Sequence, residues 1–85
     1  MFVVKNIKTG KIVKELKTNR LNRVKAMVEG PLVEMVVAQE WVRKGKLNHT
    51  ALWEIAALDA KSKKEFDEEC EKMLPNLVIE EVAER

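Results

Sequence analysis

The stretch Phe2 to Leu16, FVVKNIKTGKIVKEL, constrains the fold of this chain most, because two β-branched runs flank Lys8, Thr9 and Gly10. Three residues containing glycine between two strand-like runs specify a β-hairpin. Gly10 takes the left-handed conformation that a residue without Cβ adopts freely. A lone hairpin is only marginally stable in water, so the rest of the chain must cover it with helices and a third strand.

The register decides what the hairpin presents. With a three-residue loop, Ile7 pairs with Lys11, which places Phe2, Val4, Ile12 and Leu16 on one face and Val3, Ile7 and Val13 on the other. A four-residue loop regroups Val3, Ile7, Ile12 and Leu16 instead. In either case neither face is polar, whereas a sheet with one wetted face alternates apolar and polar residues strictly. The second face is therefore either partly covered or an interaction surface. The partner-binding candidates on it are Val3, Lys5, Ile7, Lys11 and Val13.

Eighty-five residues make a single domain, 1–85, with a small core, so much of its 46% apolar content must be buried. A 35% charged fraction beside that content specifies a folded, water-facing protein rather than a disordered one. The lone Cys70 excludes an intramolecular disulfide framework and fits a reducing compartment, so the cytoplasm is expected. The first residues lack the apolar run and cleavage site of a signal peptide. The densest apolar run, Leu32 to Val42, is broken by Glu34, Gln39 and Glu40 and is too short for a membrane span. The net charge of +2 hides a division: residues 1–25 hold eight Lys or Arg and one acid, while residues 48–85 hold ten acids and five bases. A basic end and an acidic end are the result.

Thr18 or Asn19 is placed to cap a helix over Arg20 to Glu29, with Leu21, Val24 and Val28 as its buried stripe. Gly30 and Pro31 end it, and Pro31 opens a second helix, PLVEMVVAQEWVRKG, apolar around most of its circumference as a central helix must be. Gly45 stops that helix. Asn48 or Thr50 caps a third, ALWEIAALDA, packing through Leu52, Trp53, Ile55 and Ala56. Ser62 with Glu65 forms a capping box for a fourth, Lys63 to Leu74, striped by Phe66, Cys70, Met73 and Leu74. Pro75 ends it, and Asn76 to Val82 is β-branched enough to be a third strand joining the hairpin.

No catalytic set is visible. His49 and Cys70 are the only residues of their types, and no nucleophile elbow, phosphate loop or paired metal motif is present. His49 reads as a surface or capping residue, and Cys70 as a small core hydrophobe. The run Asp67 to Glu71 lacks calcium-loop spacing and reads as a solvated helix face, with Glu68 and Lys72 four residues apart. No cofactor and no metal are expected.

Lys5, Lys8, Lys11, Lys14, Lys17, Arg20 and Arg23 recur every third residue, enough to neutralise phosphates. A period of three matches neither strand nor helix, however, so these cations spread over both hairpin faces, and Phe2 is the only aromatic residue among them. Trp41 and Trp53 are read as core anchors unless one is exposed, in which case it supports a contact surface.

These features specify an α+β domain: a small antiparallel sheet, N-terminal hairpin plus C-terminal strand, against three or four helices. The expected function is that of a non-enzymatic accessory or regulatory factor, an inhibitor or adaptor that binds another protein and forms a homodimer. Its size is that of many phage and mobile-element accessory proteins. The alternative is a nucleic-acid-binding regulator using Lys5, Lys8, Lys11, Lys14, Arg20 and Arg23.

Overall fold

The computed structural model describes residues 1–83. Strands β1 (Phe2–Asn6), β2 (Lys11–Leu16) and β3 (Leu77–Glu81) form one antiparallel sheet in the order β2-β1-β3. The N-terminal strand is thus central, flanked by its hairpin partner and by the last strand of the chain. The fold is α+β, with the C-terminal strand completing the sheet as its composition requires.

The hairpin register departs from the three-residue expectation. Asn6 pairs with Lys11, which leaves Ile7, Lys8, Thr9 and Gly10 as a four-residue loop. The Asn6 side-chain oxygen accepts the Lys8 N–H at 3.0 Å and the Asn6 carbonyl accepts the Gly10 N–H at 2.8 Å, with Gly10 at φ +73°. This local capping by Asn6 makes the longer loop stable. A β-bulge then intervenes: Val4 pairs with Lys14 and Lys5 with Ile12, so Val13 is the extra residue. Ile12 consequently shares the face of Val3 and Lys5, Val13 packs against the core, and Leu16 returns to the face of Phe2. The placing of Ile12 inside and Val13 outside that a three-residue loop implies is therefore reversed. The core needs apolar residues three apart, Val13 and Leu16, and only a bulge gives that spacing in a strand.

The helical part begins with α1 (Leu21–Met27), passes through a π-helical turn over Val28–Leu32 and continues as α2 (Val33–Arg43). Gly30 and Pro31 do not end a helix here. Met27, Val28, Leu32 and Val33 all keep right-handed helical angles, so the chain runs on as one rod. Proline lacks the N–H of the normal ladder and crowds the preceding turn, and the widened π turn absorbs both defects. Val24 and Val28 are buried as expected, but Leu21 is exposed. Gly45, at φ +77°, follows the end of α2.

The third helix, α3 (Leu52–Ala56), has five residues, so a single residue of it, Ile55, is buried. Leu52 and Trp53 point to solvent, 75% and 67% exposed, and Ala56 is exposed as well. These three were expected to pack, and one helical turn offers too narrow a face to bury them. The last helix, α4 (Ala60–Met73), starts three residues earlier than its Ser62 signature implies. Asp59 is the cap, its carboxylate accepting the Ser62 N–H at 2.7 Å. Leu74–Asn76 forms a 3-10 turn leading into β3.

All helical contributions to the core meet the sheet on the face of Phe2, Val4, Leu16 and Leu77. Trp41, Phe66, Val4, Val24 and Val37 are the largest fully buried side chains.

Candidate functional site

The opposite sheet face is the candidate contact surface. Directly paired residues in an antiparallel sheet share a face, so two transverse rows follow from the register: Glu15, Val3 and Glu80, then Ile12, Lys5 and Val78. Ile7 extends the surface at one end, its N–H reaching the Asn76 carbonyl at 2.9 Å. Val82 extends it at the other, its N–H bonded to the Met1 carbonyl at 2.9 Å. Ile7 and Ile12 are 58% and 55% exposed, and Val78 and Val82 just over a third.

Val3 lies at the centre of this face and is buried, yet among the buried apolar residues described it alone stands outside the helix-packed core. The face thus presents a rim of exposed aliphatic side chains with Lys5, Glu15 and Glu80 set among them.

Three of the five partner-binding candidates, Val3, Lys5 and Ile7, come together here. Val13 does not, since it packs on the core side. Lys11 pairs with Asn6 on that side too, and lines a cleft of about 270 Å³ between the hairpin and α2 with Thr9, Gln39 and Arg43. Small-molecule sites are usually larger, roughly 300–1,000 Å³, and mostly apolar, so this cleft is a poor match for one. The four-residue loop that the sequence also allows groups Ile12 with Val3 and Ile7, as found, but Leu16, grouped with them there, lies on the core side. Val78 and Val82 are the members that sequence reasoning missed, because the strand order had to be known for them.

The basic residues are dispersed. Lys5 lies within the open face, Lys8 at the hairpin tip, Lys11 and Lys14 on the edge strand β2, and Arg20 and Arg23 at and just inside the start of α1. They form no single groove.

His49 is exposed and donates its backbone N–H to the Glu54 carboxylate at 2.6 Å. Cys70 is partly buried against the core, and burial, with Glu34, Asp67 and Glu69 nearby, pushes its thiol up to about 11. Such a thiol is protonated at neutral pH and a poor nucleophile. Within the acidic run, Glu69 accepts the Trp41 indole N–H and lies 3.8 Å from the Lys44 ammonium. Among the described residues no group of three His, Cys, Asp or Glu side chains is arranged to hold a metal ion. No described helix is long and apolar enough to cross a membrane.

No protein-family model, curated protein or solved structure matches this chain. The site's own chemistry therefore carries the functional reading.

Proposed function

We propose that the protein is a small non-enzymatic accessory or regulatory factor of the cytoplasm that works by binding protein through the open face of its sheet. The observation that carries this reading is the uncovered aliphatic rim of Ile7, Ile12, Val78 and Val82 around Val3 on a sheet whose other face is filled by helices. Exposed aliphatic side chains with charges set among them are suited to a protein contact. Trp53, exposed on α3, adds an aromatic contact element.

The test is Ile12→Glu, a change on an exposed position that leaves the core intact. Sedimentation over a wide concentration range and affinity capture from the native lysate are compared for the parent and the variant. Association lost in the variant supports the reading. Equal behaviour of the two proteins removes it.

A nucleic-acid-binding regulator is the second reading, favoured by the exposure of Lys8, Lys11, Lys14, Arg20 and Arg23. Titration against duplex and single-stranded nucleic acid at two salt concentrations separates the two, because phosphate contacts weaken steeply with salt.

A further inference from the structure

We infer that the occupant of the open sheet face is a second copy of this chain, related by a two-fold axis that lies in the interface and runs across the strands. The inference rests on the reading of this face as a protein-binding surface, and adds the partner and its orientation.

The charge pattern carries the argument. Along β1 the face alternates a row with a carboxylate on each side of Val3, from Glu15 and Glu80, and a row in which Lys5 stands between Ile12 and Val78. In aligned packing, two sheets stacked face to face keep their strands about 30° apart, which leaves two ways to place an in-plane two-fold axis. An axis along the strands puts Lys5 over Lys5 of the second copy and Glu15 over its Glu80, so every charge meets its like. An axis across the strands, between the two rows, exchanges the rows. Each Lys5 then sits over the other copy's Val3, between its Glu15 and Glu80, and Ile7 at one end comes over the Met1 end of the other copy's first strand, beside its Val82. Opposite charges pair in the middle and aliphatic groups close the ends. Like charges set opposite one another strongly disfavour an arrangement, so the pattern selects the second axis.

Pairing through the β2 edge, or between unlike edges, competes poorly. The β2 edge carries the exposed Lys11 and Lys14, and lysines on an edge strand guard against strand addition. A contact between unlike edges is head to tail and does not close into a dimer. The face contact is isologous and closes.

The experiment measures sedimentation equilibrium of the parent chain, Lys5→Glu, and the triple variant Lys5→Glu, Glu15→Lys, Glu80→Lys, with circular dichroism of each to establish folding. The expected result is a concentration-dependent dimer for the parent, at least a tenfold weaker dimer for Lys5→Glu, and recovery in the triple variant, whose reversed charges pair again. A Lys5→Glu protein that dimerises as well as the parent overturns the orientation, since that outcome belongs to the strand-parallel axis. Growth into open polymers overturns it in favour of edges. A parent that stays monomeric at every concentration overturns the second-copy inference; if Ile12→Glu still abolishes capture of a different protein, the binding face stands with another occupant, and if it does not, both fall. Should the triple variant fail to fold, the single variants Glu15→Lys and Glu80→Lys mixed with Lys5→Glu provide the same comparison, with mixed dimers expected and their absence counting against the inference.

Discussion

Trp41 donates its indole N–H to the carboxylate of Glu69, tying α2 to α4 at the level where the same tryptophan meets Phe66 edge-on, ring centroids 5.3 Å apart and planes at 84°. Lys46 closes the other side, its ammonium 4.8 Å from the ring centre. A buried indole N–H needs its acceptor, and edge-to-face rings add to the area they bury. Phe66→Ala is therefore expected to cost about 3–5 kcal/mol, a large share of the stability of a domain this small. Glu69→Ala should cost about 1–3 kcal/mol by stranding the indole N–H, and Glu69→Gln less, since its amide oxygen still accepts. Urea unfolding of the three variants checks the order.

The reversed hairpin faces give the second prediction. Val13→Glu forces a carboxylate into the core edge and should lower the unfolding midpoint markedly, whereas Ile12→Glu, one residue earlier, should leave it nearly unchanged. Equal destabilisation by the two would mean that the bulge is misplaced. Thermal denaturation decides.

Cys70 should be slow to react. With its thiol near 11, alkylation by iodoacetamide at mildly alkaline pH is expected to run about tenfold or more slower than for an unfolded control, and to reach the control's rate in denaturant. The pH dependence has a definite sign. Because burial raises the folded-state value above the ordinary 9.0, the contribution of the neutral thiol to stability is complete below that value and is lost as pH rises through about 11. Cys70→Ala should remove this alkaline component.

Asp59 supplies the acid-side counterpart. Its carboxylate is held below the ordinary 3.8 by the hydrogen bond from the Ser62 backbone N–H, so the cap's contribution is present above that value and fades as pH falls through the lower folded-state one. Asp59→Asn, which still caps but does not titrate, should flatten this acid dependence, while Asp59→Ala should shorten α4 at all pH values. Circular dichroism across the acid range measures both.

The exposed Trp53 predicts a divided fluorescence signal. Iodide should quench Trp53 and spare Trp41, so Trp53→Phe leaves a blue-shifted, weakly quenched emission. If the open face and Trp53 belong to one contact surface, association should also shield Trp53 from iodide.

Much of this protein was determined by local sequence. The glycine-closed hairpin, the terminal strand after Pro75, the buried stripe of Phe66 and Met73 and the apolar circumference of α2 each follow from side-chain period and backbone chemistry. The open face was legible as well, in the apolar residues left on both sides of the hairpin. Tertiary structure alone decided which residues compose it. Ile12 and Val13 are adjacent and equally apolar, so no period distinguishes them. The bulge that sends Val13 inward arises because the core requires Val13 and Leu16 together, a demand set by the helices above the sheet. Likewise the chain runs helically through Gly30 and Pro31, two residues that locally signal a break, because Val28 and Leu32 on either side are both buried in the core. Val78 and Val82 joined the face only once β3 had taken its place beside β1, since pairing across some seventy residues depends on the whole fold.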